Sequence, residues 1–243
     1  AMTYASGICG GSQSGKSITT YNYLIEDCLN SGKLSTTNGV GSAGIAGSYS
    51  GAIKNCNNNG NVDDTQGTAK SKQYTAGIVS CASFAVDIEG CYNRGAISGV
   101  KNVGGIVGNV MKGDEAATVI KNCRNDGSVS GQDMYVAGIV ANSARKEGVV
   151  SVVSCTNNGE VTSTGTTEFI GNLRGNTNIA LGEGNVIGAG LKALPLDPAT
   201  ETGIDNTNVN TSKTANGVFL RNGQIVIVKN NKKYTISGIE IAE

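Results

Sequence analysis

One pattern recurs five times in this 243-residue chain, I/V-x-x-C-x-N-x-G-x-V/I/L. It reads IEDCLNSGKL (25–34), IKNCNNNGNV (53–62), IEGCYNRGAI (88–97), IKNCRNDGSV (120–129) and VVSCTNNGEV (152–161). A short apolar tag precedes each copy: SGICG (6–10), AGIAG (43–47), AGIVS (76–80), GGIVG (104–108) and AGIVA (137–141). Successive cysteines of the pattern stand 28, 35, 32 and 32 residues apart. A unit this short holds too few aliphatic side chains to bury a core alone. Copies must therefore stack and cover one another's apolar faces.

The fixed positions are Ile, Val and Cys in short runs bounded by Gly and Asn, the composition of short strands and turns. One copy per turn predicts an all-β parallel β-helix of five to six coils. Each coil is expected to carry three strands: the G-I tag, the segment through Cys and the G-x-V segment. Frame counting sharpens this. From Cys, the Asn at +2, the Gly at +4 and the aliphatic at +6 share one face of an extended chain, whereas the Ile three before Cys has the opposite parity. Both face inward only if the chain bends between them. The residue just before Cys is Asp27, Asn55, Gly90, Asn122 or Ser154, all turn formers. Two before Cys stand Glu26, Lys54, Glu89, Lys121 and Val153, a column that alternates in charge as an exposed ladder does.

Two further columns follow from the stacking. Cys28, Cys56, Cys91, Cys123 and Cys155 read as buried thiols filling the core, because no pair has C-x-x-C spacing and the total of seven is odd. Asn30, Asn58, Asn93, Asn125 and Asn157 read as a hydrogen-bonded amide ladder. Both are structural. No catalytic, cofactor-binding or metal-ligating residue is assigned.

Tags of the AGIVG kind followed by I-K-N-C-x-N-x-G-x-V resemble the GLUG-type repeats of bacterial surface and secreted proteins, which also occur in adhesin-like and IgA-peptidase-like chains. The resemblance covers about residues 4–171. It implies a surface-exposed β-solenoid without catalytic residues in the repeat. No HExxH is present, so the peptidase association does not transfer.

Composition narrows the chemistry. The chain has no His, which removes the commonest general base and transition-metal ligand. Lys and Arg balance Asp and Glu at 19 each, so no nucleic acid is expected as partner. No apolar run approaches the length of a membrane helix, and no membrane insertion is expected. Ala1-Met2 reads as a cloning junction, so a signal segment is expected to have preceded it.

Two rival readings remain open. GGSQSGKS (10–17) matches the phosphate-binding loop G-x-x-x-x-G-K-S/T, and Ser83–Asp87 resembles its acidic companion strand. Against it, the flanking segments already belong to the repeat and no α/β alternation follows. A glycine-rich chain, with 36 here, can spell the motif by chance. The other rival is a carbohydrate-active β-helix (polysaccharide lyase or glycoside hydrolase) using paired carboxylates. Its candidates are Asp63-Asp64 and Asp114-Glu115, expected in solvated loops or at best a loose calcium site.

Residues 168–172 open a sixth coil that never reaches a Cys, and 172–194 are expected to supply the last irregular strands. The expected division is a repeat β-helix over 1–193, a linker over 194–215, and a β-meander of three strands over 216–243. Function is expected to be that of a bacterial cell-surface or secreted, adhesin-like structural or binding module with no catalysis of its own. A host glycan or protein is expected on the face bearing the loops between the two tags, such as Met111–Glu115.

Overall fold

The computed structural model describes residues 4–11, 23–37, 40–66, 73–111, 117–165 and 168–197, then the strands Gly217–Arg221, Gln224–Lys229, Lys232–Thr235 and Glu240–Ile241. It divides into two compact units, Ala1–Asp197 and Pro198–Glu243.

The first unit is a parallel β-solenoid of about five turns, and no helix occurs among the described residues. Each turn contributes to four sheets rather than three. The first sheet runs Tyr4–Ser6, Gly41–Ala43, Tyr74–Ala76, Val103–Gly104, Val136–Ala137 and Ile170–Gly171. The second takes the chain after each tag and up to each Cys, unbroken in Ala46–Lys54 and Val79–Glu89. The third is Leu29–Asn30, Asn57–Asn58, Tyr92–Asn93, Arg124–Asn125, Thr156–Asn157 and Val186–Ile187. The fourth is Leu34–Ser35, Val62–Asp64, Ile97–Gly99, Val129–Gly131 and Val161–Ser163. The additional segment arises because the chain bends at the G-I tag, splitting what the pattern presents as one strand.

The bend before Cys takes the form that parity requires. Asp27, Asn55, Gly90, Asn122 and Ser154 all have φ between 51° and 63°. A single left-handed residue turns the chain and lets Ile and Cys face the same interior; Asn, Asp and Gly tolerate that conformation best. Just outside the corner, Glu26, Lys54, Glu89, Lys121 and Val153 lie in register. Lys121 pairs with Glu89 at 3.2 Å, an exposed contact of modest energetic weight.

The interior holds two apolar clusters. One combines the tag isoleucines Ile45, Ile78, Ile106 and Ile139 with Ile53, Ile88 and Ile120 and the buried thiols. The other contains Val62, Ile97, Val103, Val129, Val136 and Val161. At the far end, Leu173 occupies the next tag-isoleucine position and Ile179–Leu181 extends the second sheet. Leu196 donates its N–H to the Ile170 carbonyl at 3.1 Å and Leu194 packs on the second cluster. Residues 194–197 are thus part of the solenoid's end rather than the start of a linker, because their carbonyl and carboxylate partners lie in the last coil.

The second unit is an antiparallel sheet of four strands in sequence order. The meander has four strands rather than the expected three, because Lys232–Thr235 and Glu240–Ile241 pair with one another as separate strands.

Candidate functional site

The five asparagines form one continuous ladder through the interior. Asn30 Nδ2 donates to Asn58 Oδ1 at 2.7 Å, Asn58 to Asn93 at 2.8 Å, Asn93 to Asn125 at 2.7 Å and Asn125 to Asn157 at 2.7 Å. Each Nδ2 also donates to the carbonyl of the glycine two residues on (Gly32, Gly60, Gly95, Gly127, Gly159), at 2.8 to 3.1 Å. A buried primary amide needs partners for both N–H bonds and its oxygen, and the coil spacing supplies all of them.

The ladder explains why the two tags travel together. A Cβ on Gly44, Gly77, Gly105 or Gly138 would lie 2.2 to 2.5 Å from an atom of Asn58, Asn93, Asn125 or Asn157 respectively. The amide therefore spans the interior and rests on the bare backbone of the tag glycine, between the two apolar clusters. The motif's Asn demands the tag's glycine.

The sixth coil contributes a member the pattern does not contain. Asn172 stands in the tag-glycine position, since Ile170 and Gly171 pair with Val136 and Ala137. Its Oδ1 accepts from Asn157 Nδ2 at 3.1 Å, and its own Nδ2 donates to Asp197 Oδ2 at 2.7 Å and to the Lys192 carbonyl at 3.0 Å. Asp197 also accepts the backbone N–H of Asn172 and that of Leu194. Every ladder amide presents its N–H side toward this end, so a carboxylate is the matching terminus. Setting IGNLR (170–174) against VAGIV (136–140) places Asn172 opposite Gly138, a correspondence that the C-x-N pattern does not contain.

Cys56, Cys91, Cys123 and Cys155 are buried, and each Sγ contacts the carbonyl two residues before it at 3.1 to 3.4 Å. Cys28, on the first coil, is only partly buried. All seven cysteines are free thiols. Burial pushes the Cys81 thiol up to about 11. Among the described residues no group of three or more Cys, Asp and Glu side chains is arranged to hold a metal.

The candidate carboxylates need correction. Asp63 and Asp64 lie in the strand Val62–Asp64, not in a solvated loop, and Asp64 is fully buried. Its side chain faces inward because it shares parity with Val62. Thr36 Oγ1 donates to Asp64 Oδ1 at 2.7 Å and Ser42 Oγ to Oδ2 at 3.3 Å. Burial raises the Asp64 pKa against these hydroxyl donors, whereas donation from Thr65 lowers that of Asp63. The two carboxyls point to opposite faces and cannot flank one bond. A raised folded-state pKa favours folding below the unfolded carboxyl value, and that advantage is lost as pH rises through the raised value. Asp64→Asn is therefore expected to stabilise the solenoid at pH 7 and leave it little changed near pH 3. Urea unfolding at both pH values reads this, and equal loss of stability at both would contradict it.

Asp114 and Glu115 lie outside the described residues, as do positions 12–17 of the GGSQSGKS stretch. Its Gly10 and Gly11 belong to the strand Cys9–Gly11, paired in parallel with Ala46–Lys54. Asp87 is an exposed position of the strand Val79–Glu89, paired with Ala52 and Val119.

A polar cluster that the pattern did not single out lies on the outer face of the third sheet. The Arg94 guanidinium stacks 3.7 Å above the Tyr92 ring, and that of Arg124 lies 5.1 Å from the same ring. Arg124 Nε and Nη2 each donate to Asp126 at 2.8 Å, Asn158 Nδ2 donates to Asp126 Oδ1 at 2.7 Å, and the Tyr92 hydroxyl also bonds that carboxylate. Burial alone would raise the Asp126 pKa, but these donors outweigh it and hold the group at about 2. Arg94 Nη1 donates to Asn59 Oδ1 at 3.2 Å. Tyr92 and Arg124 sit at the position after Cys, and Arg94 and Asp126 two residues further on, so the alternation of the strand turns all four outward.

No family model matches this chain, and no curated protein matches it. Among solved structures it is similar to a protein from Bacteroides ovatus described as a candidate immunoglobulin A1 protease, with 14% identity, a TM-score of 0.47 and coverage of 70% of this chain. The chain spans 59% of that protein's length. A likeness of this extent carries no argument about function.

Proposed function

We propose that the chain is a structural and binding module of a bacterial cell-surface or secreted protein, adhesin-like and without catalysis of its own. One contrast supports this reading. The inward columns repeat nearly unchanged from coil to coil, whereas the outward column after each Cys reads Leu29, Asn57, Tyr92, Arg124 and Thr156. An unvarying interior under a varying exterior is how solenoids present recognition surfaces. The resemblance to GLUG-type repeats points the same way. A carbohydrate-active enzyme is the weaker reading, because Asp64 is enclosed and Asp63 faces away from it. Nucleotide binding at 10–17 has only its motif in its favour.

The reading is tested on intact cells of the native organism carrying an epitope-tagged copy. Surface proteolysis or antibody labelling is expected to reach the tag, or the medium to contain it. Retention behind an unbroken envelope, or turnover of any member of a polysaccharide panel by the purified chain, would overturn the reading.

A further inference from the structure

We propose that the outer face of the third sheet binds acidic glycans, with the Arg94 guanidinium receiving a sugar carboxylate. This rests on the binding-module reading and names a surface and a ligand class for it. The surface is the sheet face at Asn57, Tyr92 and Arg124, not the loops between the tags.

Charge carries the first part of the argument. Asp126 is saturated by Arg124, Tyr92 and Asn158, so Arg124 and Asp126 neutralise one another. Arg94 has no such partner: among the described residues no carboxylate pairs with it, and its single hydrogen bond runs from Nη1 to Asn59. Its Nε and Nη2 edge is therefore open. The cluster thus carries one uncompensated positive charge.

Rigidity carries the second part. Stacking on Tyr92 at 3.7 Å fixes the guanidinium plane, and the Asn59 bond fixes its rotation in that plane. Tyr92 is itself tied to Asp126. A side chain that would otherwise lose much rotamer freedom on binding is already ordered, so less is lost when a planar carboxylate meets it. Carboxylate and guanidinium match as a two-bond fork.

The surroundings decide between a sugar and a peptide as bearer of that carboxylate. Around Arg94 the outward positions of the middle coils are amides and hydroxyls: Asn57 and Thr156 in the Tyr92 column, Asn59 and Asn158 in the Arg94 column. These groups both donate and accept, as sugar hydroxyls require. The aliphatic members of the column, Leu29 and Val186, stand on the first and last coils. A peptide would need apolar anchors beside the charge. The aromatic ring of the middle coils, Tyr92, is covered by Arg94 and its hydroxyl is bonded to Asp126, and no aliphatic residue stands in either column there.

The test is calorimetric titration with oligogalacturonate at low ionic strength, using the whole chain. The wild type is expected to bind, and added salt to weaken the binding. Arg94→Ala is expected to reduce affinity at least about tenfold, with Arg94→Lys in between because an ammonium neither stacks nor forks. Thermal unfolding of each variant, matching wild type, confirms that the fold is intact. The methyl-esterified polymer, which lacks the charge, is expected not to bind. Absence of binding by the wild type, an unchanged affinity for Arg94→Ala, or equal affinity for the ester would sink the proposal. Poly-L-glutamate binding as tightly as the sugar would sink it too, by assigning the face to acidic peptides. Binding of a neutral glycan that survives Arg94→Ala removes this site but leaves the module reading standing. Cleavage of the polymer removes the module reading instead.

Discussion

Replacing Asn93 with leucine is expected to lower the stability of the solenoid by about 3–5 kcal/mol, measured by urea unfolding under circular dichroism. Asn93 is fully buried in the middle of the ladder. It accepts from Asn58 Nδ2 at 2.8 Å and donates to Asn125 Oδ1 at 2.7 Å and to the Gly95 carbonyl at 2.9 Å. Leucine would leave one N–H and two oxygens in the interior without those partners, each unsatisfied group costing about 1–3 kcal/mol. The extra methyl groups do not offset this, because the amide rests against Gly77 and the space is shaped for a planar group. Asn93→Asp separates hydrogen bonding from volume. An ionised aspartate still accepts from Asn58 but faces Asn125 Oδ1 with another acceptor. Only the protonated acid can donate there, so its folded-state pKa is raised, and this variant should regain stability as pH falls through that raised value, the gain being complete below the unfolded carboxyl value. Stability of Asn93→Leu within about 0.5 kcal/mol of wild type would mean that the ladder contributes little beyond packing.

Much of this architecture was legible because the repeat writes its constraints at fixed offsets. The parity mismatch between Ile and Cys required a corner, and five residues with left-handed backbone stand at it. The alternating charge column aligns in the predicted register. What escaped was information held between columns rather than within one. The pattern shows a glycine in each tag and an asparagine in each motif, but not that one lies against the other across the interior. The extra bend in each coil falls at that same tag glycine, which no single column displays.

The candidate site was less legible, for two physical reasons. Asp63-Asp64 looked like a solvated acidic pair because adjacent carboxylates are usually exposed. Continuing the alternation of Val62 by two residues puts Asp64 inside, and Thr36 and Ser42 make that tolerable from the neighbouring coil and the start of the next sheet. The Arg94–Tyr92 stack joins residues two apart, one in the strand Tyr92–Asn93 and one just past its end, and Asp126 reaches Tyr92 from the next coil, 34 positions beyond it. Column reading treats such variable outward positions as noise, although variation there is what a recognition surface would produce.

Gly105→Ala is expected to be at least as damaging as loss of a ladder amide, lowering stability by about 3 kcal/mol or more in the same unfolding measurement. A Cβ built on Gly105 lies 2.1 Å from the Gly138 carbonyl oxygen and 2.5 Å from Asn125 Cγ. The first of these is backbone of the next coil, held by the parallel pairing of Val103–Gly104 with Val136–Ala137, so relief requires neighbouring coils to separate. Trimming the amide does not help: in Gly105→Ala/Asn125→Ala the collision with the Gly138 carbonyl persists while the ladder is broken, and the double variant should be less stable than either single one. Gly10→Ala provides the contrast. Among the described residues the nearest atom to a Cβ there is the Tyr4 carbonyl oxygen at 3.9 Å, an ordinary contact, and the effect should stay within about 0.5 kcal/mol. The two substitutions have the same chemistry and occur in corresponding glycine-rich tags. If they were equally tolerated, the interior would have room between Gly105 and Gly138 that this stacking does not allow, and the coil spacing itself would have to be revised.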